Sequence, residues 1–140
     1  MSSAKKLCEK PEVPKALVCG MLSDGGRVLF LIKKDQHGVA RLELPWIYSY
    51  KTSDPVSQLG EVFLKKTGID GEVGEIKFES RHNAGSRRKK KWISCYVFEI
   101  TAKNKKANPS SEFAGFKWVS LKEVKKEKLG RMLEWIRKLI

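Results

Sequence analysis

The stretch SDPVSQLGEVFLKKTGI, residues 53–69, constrains the fold of this chain more than any other. Asp54 is a good N-cap, and Pro55 suits the first helical position, where a missing N–H costs nothing. Val56, Leu59 and Phe63 fall on one helical stripe, and Gly68 can take the left-handed conformation that stops a helix. Strand signals surround this helix. ALVCGML (16–22) and RVLFLIK (27–33) are β-rich apolar runs separated by Ser23-Asp24-Gly25-Gly26, whose glycines supply the positive φ angles of a tight hairpin turn. RLELPW is a short strand halted at Pro45, EVGEIKFESR and WISCYVFEITA read as two strands around a polar tip, and FAGFKWVSL is a further strand. Leu129, Met132, Leu133, Ile136 and Leu139 then share the stripe of a closing helix. A helix set between strands, with a second one at the end, predicts an α/β protein: a mixed β-sheet with helices on its faces.

With 140 residues, 41% of them hydrophobic, the chain suffices for one core. We expect an N-terminal tail over 1–13 and one domain over 14–140. No apolar run approaches the ~20 residues of a membrane span, and the opening MSSAKKLCEKPEVPK lacks the apolar segment of a secretory signal, so the expected setting is cytoplasmic with no membrane partner. Cys8, Cys19 and Cys95 share no CxxC spacing and suggest neither a disulfide framework nor a zinc site. Cys19 and Cys95 lie in strand patterns and read as small buried hydrophobes. His37 and His82 read as isolated, solvated loop residues.

Charge is the strong deviation: 29 Lys and Arg against 16 Asp and Glu give a formal +13, which favours polyanion attraction. RHNAGSRRKKKW carries Arg81, Arg87, Arg88, Lys89, Lys90 and Lys91 without one acid. Like charges at this density persist in a solvated tip or opposite an anion, and both alternatives stay open. In PWIYSY, an extended backbone would put Trp46, Tyr48 and Tyr50 on one side. An aromatic row beside basic groups suits base stacking, though such rows also pack into cores. Trp92, next to the basic run, has the same ambiguity, whereas Trp118 and Trp135 read as packing residues.

The order strand, LELP, loop, capped helix, TGI, strands, then Glu112 followed by Trp118-Val119 resembles the Nudix family over residues 14–139. That family is identified by a box of glycine, five residues, Glu, seven residues and Arg-Glu-apolar-any-Glu-Glu-any-Gly-apolar, commonly preceded by Leu-Pro-Gly. The box lies on Leu44-Pro45 to Gly68-Ile69 without a gap, and implies a Nudix-like α/β/α sandwich. Its packing and capping positions are kept at Phe63, Gly68 and Ile69. Its chemistry is not: the box glycine falls on Ile47, the first glutamate on Ser53, the arginine on Glu61, the next glutamate on Val62, and the glutamate pair on Lys65 and Lys66.

Positions 62, 65 and 66 share one helix face. In the family that face presents carboxylates to magnesium, a cation that takes oxygen ligands and helps activate the attacking water. Here three formal negatives have become two positives. A unit charge against a divalent ion at 4 Å and an effective dielectric of 20 is worth about 8 kcal/mol, so the face should repel magnesium. Glu61 is expected to pair with Lys65 four residues on, and so not to serve as a substitute ligand.

The expected function is therefore that of a catalytically degenerate Nudix-fold protein that binds a nucleotide-containing anion, RNA or another nucleic acid, without a cofactor. Lys65, Lys66, Arg87, Arg88, Lys89, Lys90 and Lys91 would meet phosphates, and Trp46, Tyr48 or Trp92 would stack on bases. Lysines in a last helical turn also simply oppose the helix dipole. Two alternatives remain. One is a divergent hydrolase of nucleoside diphosphate derivatives with displaced magnesium on Glu43 and Glu112; the other is a protein-interaction scaffold.

Overall fold

A computed structural model describes residues 13–51 and 54–139. Residues 1–12 of the expected tail, Cys8 among them, and Ser53 lie outside the described residues. Strands β1 (Ala16–Asp24) and β2 (Arg27–Lys34) form the expected hairpin, with Gly25 and Gly26 at φ 58° and 80°. These two positive φ angles in a two-residue turn match the right-handed twist of the flanking strands. β3 (Ala40–Glu43) and β4 (Trp46–Ser49) flank Leu44-Pro45, and helix α1 (Pro55–Thr67) follows. β5 (Glu72–Asn83), β6 (Trp92–Thr101) and β7 (Gly115–Val119) complete the strands. The chain ends in a single helical turn, α2 (Leu121–Val124), and a 3₁₀ helix over Arg131–Lys138.

The seven strands form one mixed sheet running β3-β2-β1-β6-β5, with β4 also paired to β1 and β7 to β2. β1 and β6 are parallel and the other pairs antiparallel. The apolar runs of β1 and β2 are continuous because both sheet faces are covered. Leu17, Cys19, Met21, Val28 and Phe30 pack on one side against Val124, Leu129, Leu133, Trp135 and Ile136. Ala16, Val18, Leu22 and Leu29 pack on the other against Leu59, Phe63 and Ile69. Gly20 lets α1 approach: a Cβ there would sit 3.1 Å from the Phe63 ring. The result is an α/β sandwich around a mixed sheet.

Asp54 caps α1 by accepting from the Ser57 N–H, and Gly68 closes it at φ 75°, donating its N–H to the Leu64 carbonyl. Val56 departs from its expected place, being 44% exposed. The buried stripe runs instead through Leu59, Phe63 and Thr67, a strict four-residue spacing that leaves position 56 outside. Thr67 tolerates burial because its hydroxyl donates to the Phe63 carbonyl and accepts from the Ile69 N–H.

The closing helix also starts later than its stripe. Leu129 lies in a strand-like bridge to Leu42, held by Leu42 N–H to the Lys128 carbonyl and Gly130 N–H to the Leu42 carbonyl. Those bonds fix 128–130 as extended chain, so the helix begins at Arg131. Leu139, at its far end, is 40% exposed. β5 is an edge strand with register shifts between Val73, Ile76 and Phe78. Among the described residues no helix is long and apolar enough to cross a membrane. Cys19 and Cys95 are buried free thiols.

Candidate functional site

The C-terminal end of α1 is tied to the segment before β7. Asn108 donates its N–H to the Thr67 carbonyl at 2.7 Å, and Ser110 donates to the Lys66 carbonyl at 3.1 Å. These bonds carry Glu112 to the helix end, where its carboxylate lies 3.6 Å from Lys66 Nζ. Lys33 of β2 approaches the same carboxylate to 3.7 Å, and the Ser110 hydroxyl donates to it at 3.3 Å. Glu43 of β3 completes the group. Burial pushes its carboxyl above the usual carboxylate range, Lys33 and then Lys66 pull it back, and Glu112 pushes it further up. Two ammonium groups and two carboxylates thus share one end of the sandwich.

Lys65 is not among them: it points to solvent, while Val62 is half-buried. The expected Glu61–Lys65 ion pair is not formed among the described residues. Two exposed side chains four residues apart on a helix gain too little from pairing to overcome the entropy of fixing them. The donor set does not suit magnesium. Glu43 and Glu112 are the only carboxylates in this group, Glu112 already faces two ammonium groups, and among the described residues no three His, Cys, Asp or Glu side chains cluster to hold a metal.

A second region lies between the β5–β6 hairpin and the 3₁₀ helix. There a cleft of about 730 Å³ is lined by Arg81, Arg87, Arg131, Arg137 and Lys138, with Glu134 as the one acid. Trp92 stands on its wall 46% exposed, with the Arg81 guanidinium 5.7 Å and the Lys138 ammonium 5.3 Å from its ring centre. A neighbouring cleft of about 510 Å³ shares Arg87, Arg131 and Glu134 and extends to Lys33 and Glu43. The basic cleft and the lysine–carboxylate group are therefore joined along one surface.

His82 differs from its expected place. It sits on β5, 5% exposed, with Nε2 3.0 Å from the Tyr48 hydroxyl. Strand pairing with Ile93 fixes it there, and burial followed by the Arg131 charge holds its pKa below the ordinary histidine value, against a smaller opposing effect of Glu134. His37 is exposed as expected. Trp46 and Tyr48 do share a side, with ring centres 5.1 Å apart edge to face. Both are half-buried against the core beside Met132, so Trp92 is the most open of the three rings. Arg88, Lys89, Lys90 and Lys91 are exposed on the hairpin tip.

Sequence reasoning missed Lys33, Arg131, Arg137 and Lys138 as cleft residues. The signal was slight: in GRMLEWIRK the basic residues stand off the apolar stripe, but so do most of the chain's 29 Lys and Arg.

No family model matches the sequence, and no curated protein matches it. Solved structures do. The Escherichia coli ORF135 protein superposes with a TM-score of 0.69 at 15% identity, over 89% of this chain and 86% of that one. The MutT protein of Methanosarcina mazei gives 0.68 at 16% identity, over 93% and 95%. The Nudix domain of Shewanella oneidensis NrtR, solved with ADP-ribose, gives 0.60 at 17% identity, over 99% and 97%. The chain has the Nudix fold.

Proposed function

We propose that this Nudix-fold protein binds a nucleotide-containing anion, RNA or another nucleic acid, in the cleft beside Trp92, and holds it without cutting it. The observation that carries this reading is Trp92 itself: an indole nearly half exposed, flanked by two cations, on the wall of a cleft with five basic residues and one acid. An exposed indole can stack on any base once a cation swings aside to a phosphate, and guanidinium groups donate to the phosphates on either side. The cleft volume falls within the usual range of small-ligand sites, so a mononucleotide or ADP-ribose, the ligand in the NrtR complex, is an accompanying candidate. Lys66 and Lys33, balanced by Glu112 and Glu43, adjoin the basic cleft and would reach a phosphate by turning from Glu112, in a protein we place in the cytoplasm. An ammonium attracts phosphate as a metal does but does not activate water.

Quenching of tryptophan fluorescence by a single-stranded RNA oligonucleotide tests the proposal. Affinity should fall steeply with salt, because each phosphate neutralised releases counterions. Trp92→Ala should weaken binding by about 5- to 150-fold, the equivalent of about 1–3 kcal/mol of stacking. An affinity insensitive to salt would count against the proposal.

A hydrolase is the second reading, favoured by Glu112 lying close enough to Glu43 to push its carboxyl upward. Incubation with nucleoside diphosphate derivatives and magnesium or manganese separates the two. Turnover lost in Glu112→Gln would sink the non-hydrolytic reading.

A further inference from the structure

Five consecutive basic residues, Arg87 to Lys91, occupy the tip of the β5–β6 hairpin. Their mutual repulsion favours an open, mobile turn. The tip is instead folded on neutral groups. Asn83 Oδ1 accepts from the N–H of Gly85 at 2.9 Å and of Lys91 at 3.0 Å, while Asn83 Nδ2 donates to the Ser86 carbonyl at 3.2 Å. Ser86 Oγ accepts from the Lys89 N–H at 2.9 Å, and the Ser86 N–H donates to the Lys89 carbonyl at 3.1 Å. Ala84 N–H closes the base of the tip on the Lys91 carbonyl at 2.8 Å.

From outside the hairpin, Arg131 of the 3₁₀ helix donates through Nη2 to the carbonyls of Asn83 and Gly85. Position 85 has room only for glycine, since a Cβ would overlap the Lys89 carbonyl oxygen. Small uncharged side chains and one arginine thus hold the backbone while the five basic side chains stay exposed, Arg87 on the cleft wall.

This arrangement spends conformational freedom to keep like charges together, which a merely solvated turn has no need to do. We infer that the 84–91 tip is a preformed cradle for the phosphodiester backbone of a single-stranded nucleic acid, with Asn83 as its positioning residue. The inference rests on the nucleic-acid reading above and adds to it how the charges are held. A single strand fits because Trp92, 46% exposed, follows the tip directly, and an indole stacks on a base only if that base is unpaired. Preorganisation means that the ordering of the backbone that carries these side chains is largely complete before the ligand arrives.

The test uses the full chain and a fluorescein-labelled single-stranded uridine-rich RNA, with anisotropy measured over a range of salt. Asn83→Ala and Ser86→Ala change no charge. Asn83→Ala should weaken binding about tenfold at every salt concentration, giving a line parallel to the parent, because the phosphates contacted are the same and only the ordering is lost. Lys90→Ala should instead flatten the salt dependence, by about 0.7 in slope for one single-strand phosphate contact.

Asn83→Ala and Ser86→Ala both within about twofold of the parent, with Lys90→Ala weakened, would overturn the cradle and leave nucleic-acid binding standing. A parent that ignores the RNA overturns both. Duplex RNA of the same length bound as tightly as the single strand would overturn the assignment to single strands. If Asn83→Ala fails to fold by circular dichroism, Ser86→Ala, which loses only the Lys89 bond, carries the test with the same sign.

Discussion

Replacing Gly68 by alanine tests whether the closing turn of α1 truly fixes the segment that delivers Glu112. Two penalties are separable. Gly68 has φ 75°, a left-handed conformation that costs an L-residue about 1–2 kcal/mol. A Cβ there would also stand 2.7 Å from the Asn108 carbonyl oxygen and 3.0 Å from the Asn108 Cβ, so the 107–112 segment must shift. That shift endangers the Asn108 N–H bond to Thr67, worth about 1 kcal/mol. The expected loss is about 2–3 kcal/mol, which for a domain of this size lowers the melting temperature by about 8 °C. Urea unfolding followed by circular dichroism, with a thermal melt alongside, reads both. Gly68→Asn is the informative companion: asparagine accepts the left-handed conformation but keeps the Cβ. It should recover only the dihedral part and remain about 1 kcal/mol below the parent. Full recovery by asparagine, or a loss under about 1 kcal/mol for alanine, would refute the steric coupling between helix end and Glu112 segment.

Two further outcomes are expected. The depressed pKa of His82 means that the unfolded chain, with histidine near 6.5, takes up the proton first as pH falls. The contribution of His82 is therefore complete above about pH 6.5 and is lost as pH drops toward its lower folded value; urea midpoints should fall over that window, and His82→Asn should flatten the fall. Lys66→Glu would set a third carboxylate beside Glu43 and Glu112 and remove one ammonium, so manganese should raise the melting temperature of that variant and leave the parent unmoved. A parent stabilised by manganese would contradict the assigned donor set.

Features set by local backbone demands were legible in the sequence. Asp54-Pro55 and Gly68 bound α1, and Gly25-Gly26 turn the first hairpin, because each position requires a conformation or a cap that few residues supply. Choices made by partners distant in the chain were not. Val56 looks apolar enough for the stripe, yet Thr67 takes the buried place because the Phe63 carbonyl and the Ile69 N–H satisfy its hydroxyl. His82 reads as a loop residue until pairing of β5 with β6 turns it toward Tyr48. The nearness of Glu43 and Glu112 was expected, but Lys33, far from Glu112 in the chain, joins them only because β2 and β7 pair, and no spacing rule announces that. Arg131 reads as one exposed cation among many, and its bonds to the hairpin backbone appear only once the 3₁₀ helix is set against β5.

The irregular edge of β5 has a consequence for crowded conditions. At high concentration, copies of a protein meet side by side, and an even outer strand would invite them to zip into an extended intermolecular sheet. Over 72–78 the outer strand is broken by two register shifts and carries Glu72, Glu75 and Lys77 facing solvent. Neighbouring molecules then find neither a straight row of hydrogen-bonding groups nor an uncharged surface to dock against. Such an edge lets the protein stand at high local concentration without its copies joining into a fibril.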